Sequence, residues 1–114
     1  ADHSFYECLY GNSSSVINQI LENIVFIELL SRGYKVSVGK VKDKEVDFVA
    51  TKQSEKIYIQ VTYLLASAET VAREFNVFNE IKDNYPKYVL SLDEINLSQN
   101  GIIHQNIRDF LLQD

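Results

Sequence analysis

Two strand-like segments joined by a short polar turn constrain this chain more than any other feature of its sequence. The first, at 45–50, reads Glu-Val-Asp-Phe-Val-Ala, and the second, at 57–63, reads Ile-Tyr-Ile-Gln-Val-Thr-Tyr. Side chains alternate between the two faces of a strand, so Gln60 and Thr62 should share one face. With Asp47 on the neighbouring strand, the pair predicts an acid-bearing polar patch on an otherwise apolar sheet.

The segment at 16–32 predicts a helix that is apolar around most of its circumference. Its polar strip contains Asn18, Gln19 and Glu22. Gly33 follows directly and is placed to end the helix in a left-handed conformation. A helix this apolar should pack on two sides, so we expect it to lie across the sheet. The contacts should come from Leu21, Val25 and Leu29.

The order of the predicted elements is helix, three strands, helix, strand and helix. The strands are predicted at 35–41, 45–51, 57–63 and 87–92, and the later helices at 68–82 and 103–112, with Ser67 as a cap. Short turns between the first three strands favour an antiparallel meander. A helical crossover precedes the fourth strand, which should therefore run parallel to the third. The prediction is an α/β fold, α-β-β-β-α-β-α, with a mixed four-stranded sheet flanked by helices.

Length, charge and residue usage narrow the functional classes. We expect residues 1–114 to form a single domain, with 1–11 as the remnant of an upstream segment. The sequence contains no methionine, so we expect a fragment of a longer chain. A net charge of -5 counts against strong autonomous binding to nucleic acid. No apolar run approaches the ~20 residues of a membrane span, and the single Cys8 suits a reducing cytoplasm, where we expect the protein.

Several segments of the chain resemble one known family. They are L-E-N-I-V-F-I-E-L-L-S-R-G-Y at 21–34, the two strands at 45–50 and 57–63, E-T-x-x-R-E-F at 69–75 and N-Y-P-K-Y-V-L-S-L-D at 84–93. Together with the element order, they look like the C-terminal PD-(D/E)XK nuclease-like domain of bacterial and archaeal AAA-type ATPases. The resemblance implies an upstream ATPase module of the same chain as a partner. The chain has no Gly-rich phosphate loop of its own, so we expect no ATP hydrolysis from it.

The resemblance also implies a metal site made by an acid on one strand and an acid-x-Lys pattern on the next, with Mg²⁺ or Mn²⁺ as cofactor. Asp47 matches the first acid, whereas Gln60 stands at the second acid position and Thr62 at the lysine position. Glu22 lies eleven residues before Gly33, where related resolvases carry a helix glutamate. The candidate metal ligands are therefore Glu22, Asp47 and Gln60. The site is expected to be degenerate, because neither Gln60 nor Thr62 carries a charge.

Ordinary structural roles stay open for each of these residues. Asp47 is also consistent with an exposed strand residue or a cap on a nearby backbone amide, and Glu22 with a solvated helix residue. Gln60 is also consistent with a hydrogen bond to a neighbouring side chain. Glu28, which lies outside the polar strip, is expected to pair with Arg32 at i+4.

A cation from another element of the chain could take the place of the lysine that the resemblance implies. Lys40 and Arg73 are the candidates, although Arg73 should project away from the apolar face of its helix. The chain has only two histidines, and no Ser/His/Asp catalytic arrangement is predicted from the sequence.

Two hypotheses from different classes follow. In the first, the chain is a nuclease-like accessory domain of an AAA-type ATPase that binds nucleic acid weakly or only with its ATPase partner, with little or no nuclease activity. In the alternative, it is a non-catalytic protein-interaction or assembly module that retains the fold only. Convergence of Glu22, Asp47 and Gln60 on one pocket, with oxygens free to face a cation, discriminates between them.

Overall fold

The computed structural model describes residues 13–41, 44–65 and 67–113; the predicted segment 1–11 lies outside them. The described residues form helices on both faces of a five-stranded sheet. In chain order the elements are α1 (Ser13–Ser31), β1 (Lys35–Val41), β2 (Lys44–Lys52), β3 (Glu55–Val61), α2 (Ala68–Asn76), a 3₁₀-helix (Val77–Glu80), β4 (Lys87–Ser91), β5 (Ile103–Asn106) and α3 (Ile107–Leu112). None of the described helices is long and apolar enough to cross a membrane.

The sheet is mixed, as predicted, and its strands follow one another in chain order from β1 to β5. β1, β2 and β3 pair antiparallel, which confirms the meander. β4 pairs parallel with β3, which confirms the helical crossover. The coarse α/β prediction is therefore correct.

The prediction of four strands is wrong, because a fifth strand precedes the last helix. β5 pairs parallel with β4, from Tyr88 opposite Ile103 to Ser91 opposite Asn106. The predicted helix over 103–112 is reduced to α3, which begins after Asn106, whose side chain accepts a hydrogen bond from Arg108 N at 2.8 Å. The backbone groups along the free edge of β4 need partners, and the extended segment before α3 supplies them.

Helix α1 ends where the sequence predicts and packs on the sheet through the predicted residues. Gly33 has φ +92°, and the two amides that close the helix, Gly33 N and Tyr34 N, donate to the carbonyls of Leu30 and Leu29 at 3.0 and 3.1 Å. This arrangement satisfies carbonyls that a helix end otherwise leaves open. The buried α1 residues on this face are Leu21, Val25 and Leu29.

Two apolar clusters lie on opposite faces of the sheet. The cluster under α1 and α3 contains Leu21, Val25, Leu29, Ala50, Ile59, Val61, Leu90, Ile107 and Phe110. The cluster under α2 contains Val46, Tyr58, Leu65, Phe75, Val77, Phe78, Val89 and Ile102. Ser67 caps α2 as predicted, its Oγ accepting from Thr70 N at 3.2 Å, but α2 ends at Asn76 and the chain continues as a 3₁₀-helix.

A β-bulge in β2 positions the region of Asp47. Ser37 pairs with Val49, whereas Gly39, two residues later, pairs with Val46, three residues earlier, so β2 holds one extra residue here. The pairing of β2 with β3 also starts only at Phe48 opposite Ile59, which leaves Asp47 beyond the last ladder pair. Such bulges redirect side chains and end strand pairing, and they are common beside functional sites.

Candidate functional site

An open cleft of about 620 Å³ lies where β2 and β3 separate, between α1 and α2. It is lined by Asn18, Glu22, Lys44, Glu45, Asp47, Gln60, Val61, Ala72, Arg73, Glu74, Asn76 and Val77. All three predicted metal ligands, Glu22, Asp47 and Gln60, therefore reach one cleft. Thr62, at the lysine position, is also buried but does not line it.

Asp47 and Gln60 hold the separated strands together through each other's backbone. Asp47 N donates to Gln60 Oε1 at 2.7 Å, and Val61 N donates to Asp47 Oδ2 at 2.9 Å. These two side-chain bonds lie just beyond the last backbone pair of β2 and β3, Phe48 opposite Ile59. The Gln60 oxygen is consequently occupied and not free to face a cation. Gln60 therefore has an ordinary structural role: it accepts from the Asp47 amide, and its Nε2 donates to the Glu74 side chain at 3.5 Å, the kind of hydrogen bond predicted as the alternative.

Glu74 joins the cleft from α2 and was not predicted as a site residue. Its Oε1 lies 3.5 Å from Gln60 Nε2, and its Oε2 lies 3.4 Å from Arg73 Nε. Its side chain is only 14% exposed, so the carboxylate is drawn into the cleft. A signal was available in the sequence: Glu74 precedes the buried Phe78 by four residues, which places it beside the apolar face of the helix.

Three of the four carboxylates that line the cleft, Glu22, Asp47 and Glu74, disfavour each other's ionisation. Burial raises the pKa of Asp47, although the hydrogen bond from Val61 N opposes this. Burial and then the charge of Asp47 raise the pKa of Glu22 and of Glu74. Protons or a bound cation would relieve this repulsion.

One of the two predicted cations is at the cleft. Arg73 lines it with a side chain that is 70% exposed, in agreement with the expectation that it projects away from the apolar face of its helix. Lys44, the first residue of β2, also lines the cleft and was not predicted. Lys40, on β1, lies opposite Glu45 of β2 and is not among the lining residues. Among the described residues, no ion pair joins Arg73, Lys44 or Lys40 to Asp47, so none of the three replaces the lysine that the resemblance leads us to expect.

The donor set does not fit a ready-made Mg²⁺ site. Among residues 13–41, 44–65 and 67–113, no three His, Cys, Asp or Glu side chains are arranged to hold a metal ion. The hydrogen bonds described above also occupy Gln60 Oε1 and Asp47 Oδ2. Mg²⁺ requires several oxygens in near-octahedral geometry, so Glu22 and Glu74 would have to move toward Asp47 to provide them.

Ser91, His104 and Asp93 meet between β4 and β5, but their hydrogen bonds run the wrong way for a nucleophilic serine. His104 Nδ1 accepts from Leu97 N at 2.9 Å, which leaves the proton on Nε2. Nε2 therefore donates to Ser91 Oγ at 2.7 Å, and Ser91 Oγ donates to Asp93 Oδ2 at 2.7 Å. Ser91 is completely buried, so this network holds the two strand ends together and performs no acyl transfer.

Glu28 has the structural role that was predicted for it. Arg32 Nε donates to Glu28 Oε2 at 2.6 Å, and Arg32 Nη2 donates to the carbonyls of Phe110 and Gln113 at 2.7 and 2.8 Å. The pair fastens the end of α1 to α3.

Comparison with known proteins adds one relative. No protein-family model matches the chain. An uncharacterised protein of Haemophilus influenzae is 44% identical over 94 residues, which make up 82% of this chain. The chain spans only 23% of that relative's length.

Proposed function

We propose that this chain is a nuclease-like accessory domain of a longer, AAA-type ATPase protein, and that its cleft is a degenerate metal site. It binds Mg²⁺ or Mn²⁺ weakly, binds nucleic acid weakly or only together with the ATPase module, and cleaves it poorly or not at all. The observation that carries this proposal is the pairing of Asp47 and Gln60 with each other's strand. The resemblance assigns both side chains to a metal site, whereas each accepts a hydrogen bond from the backbone of the opposite strand.

Charge supports the weak-binding part of the proposal. Glu22, Glu45, Asp47 and Glu74 give the cleft four carboxylates, against the two cations Lys44 and Arg73. A phosphate backbone would meet net repulsion there unless a metal ion or a basic partner surface offset it. The excess of carboxylates over cations in the cleft also supports weak binding of a metal cation, because a cation is attracted where a phosphate is repelled.

The test is Mn²⁺ titration by calorimetry on the unmodified chain and on Asp47→Asn. The asparagine can still accept the hydrogen bond from Val61 N, so the fold should persist while Mn²⁺ affinity falls by roughly tenfold or more. Asp109→Asn, at an exposed position of α3, is the matched control and should bind like the unmodified chain. Unchanged affinity in Asp47→Asn would remove Asp47 from the site. Robust Mg²⁺-dependent cleavage of single-stranded or branched DNA by the unmodified chain would refute the degenerate site.

The alternative, a non-catalytic interaction module, is favoured by the apolar residues that α1 exposes away from the sheet. Ile20 is 54% exposed and Ile27 is 59% exposed on a helix whose opposite face is completely buried. The two functions are compatible, because a domain with a degenerate site can persist for its contacts alone.

A further inference from the structure

One face of α1 is buried as predicted, but its second apolar face has no cover among the described residues. Ile20, Ile24, Ile27 and Leu30 are 54%, 39%, 59% and 48% exposed, and together they form what we call the isoleucine stripe. Spacings of three and four residues align the three isoleucines along one line of the helix. Exposed side chains scattered singly are ordinary, whereas a continuous line of them marks a contact surface.

The stripe is free of charge, although the whole chain carries a net charge of -5. α1 has only two ionisable residues, Glu22 and Glu28. Glu22 lines the acidic cleft, and Glu28 is neutralised by Arg32 at 2.6 Å. Docking of a partner onto the stripe therefore takes no charged group of the stripe out of water. Permanent interfaces, which resemble a divided domain core, are apolar in the same way.

The size of the stripe decides which kind of partner it suits. From Ile20 to Leu30 the stripe is about 15 Å long at 1.5 Å per residue, and at a width of roughly 10 Å it offers on the order of 150 Å². Separate proteins that associate stably bury about 800 Å² each. A covalently linked region needs much less, because the linkage raises its effective concentration to the millimolar range. The matched relative is more than four times as long as the segment that it shares with this chain, which leaves ample polypeptide for such a region.

We propose that the isoleucine stripe docks onto an apolar, uncharged surface of a covalently linked region of the same polypeptide, outside these 114 residues. This rests on the proposed function in one respect, that the domain belongs to a longer protein. It does not depend on the acidic cleft. Ile24→Asp with Ile27→Asp should leave Mn²⁺ binding at the cleft unchanged, so failure of either proposal can be recognised separately.

The test compares the 114-residue chain with the complete gene product that contains it. In the short chain, the Ile24→Asp/Ile27→Asp variant should have an unfolding midpoint only slightly below that of the unmodified protein, because Ile24 is 39% and Ile27 59% exposed and aspartate is a weaker helix former than isoleucine. In the complete product, the amides of α1 should exchange with deuterium roughly tenfold more slowly than in the short chain. The double variant should remove this difference. Ile95→Asp, at an isoleucine that is 67% exposed and away from α1, should retain it.

Three outcomes would overturn the proposal. A large drop in the unfolding midpoint of the double variant in the short chain would show that the stripe is covered from within residues 1–114. A short chain that dimerises in light scattering, and becomes monomeric in the double variant, would assign the stripe to a second copy. Equal exchange rates of α1 in the short and complete proteins, or a gene product with no further polypeptide, would leave the stripe without the proposed partner.

Discussion

At the scale of single residues, Asp47 and Gln60 illustrate how a polar pair can serve structure where two strands separate. Each accepts a hydrogen bond from the backbone of the opposite strand, at 2.9 Å for Asp47 and 2.7 Å for Gln60. An unpaired buried amide costs about 1–3 kcal/mol, so the loss of either acceptor would be felt in stability. Gln60 is 5% exposed, and its position therefore tolerates few substitutions.

Gln60→Glu should make the stability of the domain depend on a divalent cation. The new carboxylate would join Asp47 and Glu74, and it would lose the amide N–H group that lies 3.5 Å from Glu74. We expect the free energy of unfolding at pH 7 to fall by about 1–3 kcal/mol without metal and to recover when Mn²⁺ binds. Thermal unfolding with and without Mn²⁺ measures this. Gln99→Glu, at an exposed position, is the control, and a Gln60→Glu protein indifferent to Mn²⁺ would contradict the metal proposal.

At the scale of elements, the bulge in β2 determines where the cleft opens. Val46 and Val49 are three residues apart, yet both pack in the cluster under α2. Regular alternation would send them to opposite faces. The extra residue between them ends the regular pairing and leaves Asp47 at the point where the strands separate. Gly39 permits this arrangement, because a Cβ atom there would lie 2.5 Å from Val49 Cγ2 and 3.3 Å from Val46 Cβ.

Gly39→Ala should therefore destabilise the domain through the bulge. A contact of 2.5 Å is too short for two carbon atoms, and the β-branched Val49 has little rotamer freedom with which to avoid it. We expect a loss of about 1–3 kcal/mol in the free energy of unfolding, measured by denaturant titration. Ser37→Ala, two residues away on the same strand and exposed, should change stability far less. Equal stabilities of the two variants would show that the bulge adjusts freely.

At the scale of the whole molecule, buried ionisable groups on different parts of the sheet respond to pH in opposite directions. Burial lowers the pKa of His104 below its ordinary value of 6.5, and Asp93 opposes this shift. Burial raises the pKa of Asp47, Glu22 and Glu74 in the cleft. The contribution of His104 is present above pH 6.5 and is lost as the pH falls, because the unfolded chain binds the proton first. The contribution of the carboxylates is present at low pH and is lost as the pH rises through their folded-state pKa values.

The His104 contribution can be isolated by substitution. As the pH falls below about 6.5, the free energy of unfolding of the unmodified chain should decrease relative to that of His104→Gln. Protonation of Nδ1 would break the hydrogen bond from Leu97 N. The glutamine variant has no titrating group at this position, so its stability should not show this dependence on pH. Denaturant titrations between pH 5 and pH 8 of both proteins provide the difference. A constant difference over that range would contradict a buried neutral His104.

Features that depend on a few consecutive residues could be predicted from the sequence. Gly33 ends α1, Ser67 caps α2, and the short turns dictate the antiparallel meander, since each depends on local backbone preference. The apolar pattern of α1 also predicted its buried face. The convergence of Glu22, Asp47 and Gln60 on one cleft required the resemblance to a known family in addition to the alternation of strand side chains.

Features that depend on partners distant in sequence were decided only by the tertiary structure. β5 forms because β4 offers an unpaired edge. The residues 103–106 by themselves do not indicate this pairing. Glu74 enters the site because α2 brings its carboxylate to 3.5 Å from Gln60 Nε2, and Gln60 Oε1 is occupied by the amide of Asp47, which lies beyond the last pair of β2 with β3. The sequence by itself determined whether each segment has the apolar period of a helix or of a strand, and which of its residues are charged. The packing of those segments decided which polar atoms are satisfied within the domain and which apolar face of α1 is left exposed, because both depend on contacts between elements.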